Sequence, residues 1–109
     1  MYKRRARLTF TSSAPDLARR AAQIATARGA SWLQARVCPA GAAPEDCDLL
    51  VTLDPQALAV CPPPSPGCRH VHWPLAPSCA DADIASHVDG LIGGMRLLAR
   101  LDDSQAPGG

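Results

Sequence analysis

Residues 48–73 read DLLVTLDPQALAVCPPPSPGCRHVHW, and the fold is decided there. Leu49-Leu50-Val51-Thr52-Leu53 is a nearly continuous apolar run, as a central parallel strand buried on both faces requires. Residues 55–60 suit a brief helical turn. The segment at 61–67 (CPPPSPG) is barred from regular structure, because its prolines remove backbone donors and fix φ. Residues 69–73 (RHVHW) give the next strand.

The same alternation runs outward in both directions. Upstream, residues 7–11 (RLTFT) form a short strand, and Ser12, Ser13 and Pro15 turn the chain into a helix reaching about Arg28. Ser13 with Asp16 three positions on is a capping-box pattern, and Gly29 stands where a left-handed helix end belongs. Leu17, Ala21, Ile24 and Ala25 share one face of that helix. Residues 31–38 (SWLQARVC) alternate apolar and polar, as a half-covered edge strand does; residues 39–46 are a loop. Downstream, residues 81–101 form the last helix, with Ser78 and Asp81 repeating the capping pattern. Its stripe is Ile84, Val88, Leu91, Ile92, Met95 and Leu98. Gly90, Gly93 and Gly94 weaken this helix by up to ~1 kcal/mol each against Ala; they fit either a close helix–sheet approach or a kink. Strands separated by helices imply an α/β domain with a parallel sheet. In such sheets ligands bind beyond the carboxyl ends of the strands, so residues 11–20 are the first place to look for chemistry.

Composition bounds the function. A chain of 109 residues makes one small domain, expected over 1–103 with a disordered tail at 104–109. Of its residues 47% are hydrophobic, many of them alanine, and 4% are aromatic. No stretch approaches the ~18 consecutive apolar residues of a membrane span. Eleven basic against ten acidic residues give a net charge of +1, which excludes a general polyanion binder, so nucleic acid is not an expected partner. Lys3, Arg4, Arg5 and Arg7 open the chain, but Leu8-Thr9-Phe10 runs straight into Thr11-Ser12-Ser13. That is a solvated basic edge rather than an export signal, and it implies a cytoplasmic protein. Five cysteines, Cys38, Cys47, Cys61, Cys68 and Cys79, include no C-x-x-C pair, so structural disulfides are not expected. Cys61, Cys68, His70, His72 and Cys79 match no metal-site spacing, and 68, 70 and 72 share a face only because strands repeat every two residues. No metal and no cofactor is expected, and His70, His72 and His87 are assigned structural roles.

Residues 48–73, about a quarter of the chain, resemble the low-molecular-weight phosphatase and thioredoxin-coupled arsenate reductase superfamily. The likeness lies in a D-hydrophobic-V-T strand, then C-P, a proline-rich loop and H-W, with twelve positions from Cys61 to Trp73. Residues 35–41 (ARVCPAG) are loosely similar to the family's S-A-G strand end; between there and Asp48 the chain lacks about a helix and a strand of the fuller members. The resemblance implies a small flavodoxin-like three-layer α/β domain, with a four-stranded parallel sheet and helices on both faces. It also implies a C-x5-R loop whose thiolate attacks phosphorus or arsenic while backbone amides and the Arg hold the oxyanion, and a D-P general acid.

This chain departs from that pattern at each catalytic position. One register puts Ser12 in the nucleophile's place and Ala18 in that of the Arg; the other gives Ser13 with Arg19. A serine hydroxyl is a poor nucleophile without a base, and no candidate base stands nearby in the sequence. Pro15 removes a loop donor, no Gly lets the backbone curl round an anion, and Asp16 repels an incoming dianion. Ala76-Pro77 replaces D-P. Cys61 falls on the reductase branch's later cysteine, but Asp54 stands where its partner should be. The expectation is a non-catalytic, binding or regulatory domain, with Ser12, Ser13, Arg19 and Arg20 as remnants of a weak oxyanion site. The alternatives are a divergent arsenate reductase, phosphatase or thiol redox protein using Cys61 with Cys68 or Cys79, and a small interaction module whose edge at 31–38 is covered by a second copy or another protein. Sugar-phosphotransferase IIB domains, also similar in size and strand order, place a cysteine in the first loop, so the same serine argues against a phosphocarrier.

Overall fold

The computed structural model describes residues 6–42, 47–63, 66–76 and 78–105, the last ten as backbone only. The basic positions Lys3, Arg4 and Arg5, and also Pro77 and 106–109, lie outside the described residues. Among them the order is β1 (Ala6–Ser12), α1 (Pro15–Gly29), β2 (Leu33–Pro39), β3 (Leu49–Thr52), α2 (Pro55–Ala59), β4 (Arg69–His72) and α3 (Asp81–Gln105). The strands make one four-stranded, all-parallel sheet in the order β2-β1-β3-β4. As the sequence patterns require, the apolar β3 is interior and buried at every position, while the alternating β2 is an edge.

Connection geometry sets the layers. From β1 the chain steps one way to β2, and from β2 to β3 and β3 to β4 it steps the other way. Right-handed crossovers therefore put α1 on one face and α2 on the opposite face. Returning from β4, α3 packs beside α1. Leu8, Phe10, Leu33, Leu49 and Val51 point toward α1 and α3 and close a core with Leu17, Ala21, Ala25, Ile84, Val88 and Ile92. Trp73 seals its end, tilted against Phe10 at 5.6 Å and against His87 at 5.2 Å between ring centroids.

Several local expectations are corrected. Ser13 does not cap α1: Pro15 fixes the first helical turn, so the cap position falls on Ala14, which offers no side-chain acceptor. Asp16 instead accepts a hydrogen bond from Arg19 Nη1 at 3.0 Å on the surface. Gly29 is helical, not left-handed, and it serves contact; a Cβ there would lie 2.6 Å from Ile92 Cδ1. Gly90, Gly93 and Gly94 have nothing within 4 Å of a Cβ position, so the close approach expected of them occurs at Gly29. Helix α3 continues to Gln105, so positions 104 and 105 are helical rather than part of a tail.

Candidate functional site

Ser12 ends β1 and Asp54 follows β3 by two residues, at the carboxyl ends of the two central strands. This is the switch point of the sheet, where the connections diverge to opposite sides and α/β proteins bind ligands. The ladder continues into it, with the Leu53 amide donating to Thr11 O at 3.1 Å. Asp54 itself is 5% exposed. One carboxylate oxygen, Oδ1, accepts from the Ala57 amide at 2.7 Å and so caps α2, whose first residue is Pro55. The other, Oδ2, reaches β1 and accepts from Ser12 Oγ at 2.5 Å, the Ser13 amide at 2.9 Å and Ser13 Oγ at 3.0 Å. Ser12 Oγ in turn accepts from the Ala14 amide at 2.9 Å.

These groups are the donors that a loop gripping an oxyanion would use, and the chain's own carboxylate has taken them. Burial pushes the Asp54 carboxyl up, but hydrogen bonds from the Ser12 hydroxyl, the Ala57 amide and the Ser13 amide and hydroxyl outweigh it, and the net shift is downward. A carboxylate does therefore stand beside Ser12, against the expectation that no base is near. It is a weak base, because every group that holds it favours its charged form.

The chain matches no protein-family model and no curated protein.

The remaining candidates do not converge on this point. Arg19, in register with Ser13 in the S-x5-R reading, is exposed and paired with Asp16. Arg20 is engaged elsewhere, donating to Asp81 Oδ1 at 2.6 Å and to Cys79 O at 2.7 Å. With those partners, Arg20 ties α1 to the start of α3. Cys61 donates to Pro62 O, and burial raises its pKa. Cys68 lies before β4, and Cys79 packs against the helix-covered core. Low-pKa thiolates mark reactive cysteines; Cys38, Cys61 and Cys68 are all shifted the other way, by burial before anything else.

Opposite the helical face, the sheet carries a polar surface. Thr52 Oγ1 bridges His70 Nε2 at 3.0 Å and His72 Nδ1 at 2.8 Å, and Arg36 Nε donates to Thr9 Oγ1 at 3.2 Å. Among the described residues no group of three or more His, Cys, Asp or Glu is arranged to hold a metal ion, and no helix is long and apolar enough to cross a membrane. Sequence reasoning missed Asp54 as the centre of the switch point. Its signal was present: Asp followed by Pro after a strand is a helix cap and first helical residue.

Proposed function

We propose that the protein is a non-catalytic domain of the phosphatase-like kind its sequence resembles, serving as a cytoplasmic binding or regulatory module. One observation carries the reading: the Asp54 carboxylate sits on Ser12 and Ser13, where a tetrahedral oxyanion would have to bind. Phosphoryl or arsenyl transfer needs a nucleophile, free donors for the growing negative charge and a proton source. Ser12 supplies a hydroxyl without a competent base, its neighbouring donors face a fixed negative charge, and Arg19 is turned away. Purified protein incubated with an aryl phosphate, and separately with arsenate and reduced thioredoxin, is expected to turn over no faster than buffer or a Ser12→Ala, Ser13→Ala double variant. Turnover well above both controls would sink the proposal.

The binding role falls on the open edge of β2, where Val37 is 44% exposed. Its partner is a second copy or another protein. Sizing across a range of concentrations separates the two, since only self-association makes the apparent mass rise with concentration.

A further inference from the structure

We propose that Cys47 and Cys68 form a reversible disulfide that ties the start of β3 to the start of β4. The two residues precede neighbouring parallel strands whose register pairs Leu49 with Arg69. The ladder extends one step below that pair, since the Arg69 amide donates to Asp48 O at 3.0 Å. Cys68 therefore lies beside Asp48, one residue from Cys47. Ideal strand spacing of about 4.8 Å and a rise of about 3.3 Å per residue, continued to these positions, would put the Cα atoms of Cys47 and Cys68 about 6 Å apart. A disulfide spans about 4.4–6.8 Å.

The sulfurs agree with the backbone. Cys47 Sγ donates to Leu49 O at 3.0 Å and Cys68 Sγ to Arg69 O at 3.6 Å, so each sits over one member of the same registered pair. The Cys47 side chain is near enough to help raise the Cys68 pKa. Gly67, at φ +84°, adopts without strain the left-handed conformation that leads the chain into Cys68. Neither pairing expected from the sequence, Cys61 with Cys68 or with Cys79, has such support.

The oxidant is a low-molecular-weight disulfide such as oxidised glutathione. The Cys47 thiolate attacks one of its sulfurs, forming a mixed disulfide and releasing one thiol. Cys68 then loses its proton and attacks the Cys47 sulfur, forming the internal bond and releasing the second thiol. Two protein thiols give up two protons and two electrons, and the small disulfide takes up both. Burial, Cys47 and Asp48 push the Cys68 pKa to about 11, which makes closure slow at neutral pH and faster as pH rises. The same high pKa makes Cys68 a poor leaving group, so the closed bond resists reduction.

The test treats the full chain with excess oxidised glutathione at mildly alkaline pH and reads intact mass, thiol alkylation and melting temperature. The expected product has lost about 2 Da and two alkylatable thiols. It melts about 10 °C higher, and dithiothreitol reverses the change. Cys47→Ser and Cys68→Ser each abolish it; Cys61→Ser and Cys79→Ser leave it. In the unsubstituted protein, cleavage before aspartates should join residues 46–47 to the fragment carrying Cys68. A disulfide that survives Cys47→Ser or Cys68→Ser, or unmodified protein with all its thiols still open to alkylation, overturns the proposal.

Discussion

The two faces of one sheet are buried by opposite means. Under α1 and α3, large apolar side chains from sheet and helices interlock in a single cluster. On the other face Thr9, Thr11 and Thr52 are just as enclosed, yet α2 has only five residues and no helix is found among the described residues between β2 and β3. Connections do the covering there; Val60, just past α2, lies 3.7 Å from the Cβ position of Gly41 in the β2–β3 crossing. Backbone segments carry polar groups over that face, and the sheet meets them with threonines and histidines around the buried Leu50. Stability should therefore depend on volume on the first face and on hydrogen-bond partners on the second.

The largest expected effect is on the helical face. Phe10 is fully buried against Trp73, so Phe10→Ala should cost about 3–5 kcal/mol in urea unfolding at neutral pH. A loss nearer ~1 kcal/mol would mean that volume does not govern this face.

Next comes the rim, where Asp54 joins the ends of β1 and β3. Asp54→Ala strips the acceptor from the Ser12 and Ser13 hydroxyls and from the Ser13 and Ala57 amides, and should cost about 2–4 kcal/mol. Because the folded pKa of Asp54 is depressed below its ordinary value of 3.8, its contribution is fully present above that value and is lost as pH falls through the folded pKa. The melting temperature should fall on acidification below about pH 4, and less steeply in Asp54→Asn. Parallel acid profiles for the two proteins would remove Asp54 from the account.

A smaller effect sits where the helical face is tightest. A Cβ on Gly29 would meet Ile92 Cδ1 at 2.6 Å, so Gly29→Ala sets overpacking against better helix propensity, for a net loss of about 1 kcal/mol. Adding Ile92→Val removes that methyl. The double variant should recover stability relative to Ile92→Val alone; simple additivity would show that the contact is not what restrains Gly29.

Local chemistry is what made the fold legible. The apolar run at β3 and the alternation of β2 place one strand inside and one at an edge, and the helical stripes of α1 and α3 name the residues that cover them. What the sequence could not disclose is which distant groups meet. Asp54 and Ser12 are 42 positions apart, and their hydrogen bond follows from strand order, which no local pattern encodes. The capping pattern of Ser13 with Asp16 misled because the fixed φ of Pro15 decides where α1 begins. Gly29 and Gly93 are alike in sequence, and only the packing of α3 against α1 makes one crowded and the other open.

The smallest effect bears most directly on the second face. Thr11 is 3% exposed, and its hydroxyl has no hydrogen-bond partner of normal geometry. Its registered neighbour on β2 is Cys38. Burial pushes the Cys38 thiol up, and the Thr11 hydroxyl only partly offsets that, as a weak and poorly aligned contact would. Thr9 and Thr52, by contrast, are held by Arg36 and by two histidines. Thr11→Val keeps the branched shape and removes a buried group that gains nothing from its enclosure. It should leave stability unchanged or raise it by about 0.5–1 kcal/mol, while Thr52→Val, which orphans His70 and His72, should lower it. A loss of about 1 kcal/mol or more in Thr11→Val would show a real bond to Cys38. Cys38→Ala combined with Thr11→Val would then reveal the coupling, and the second face would contain no unsatisfied threonine.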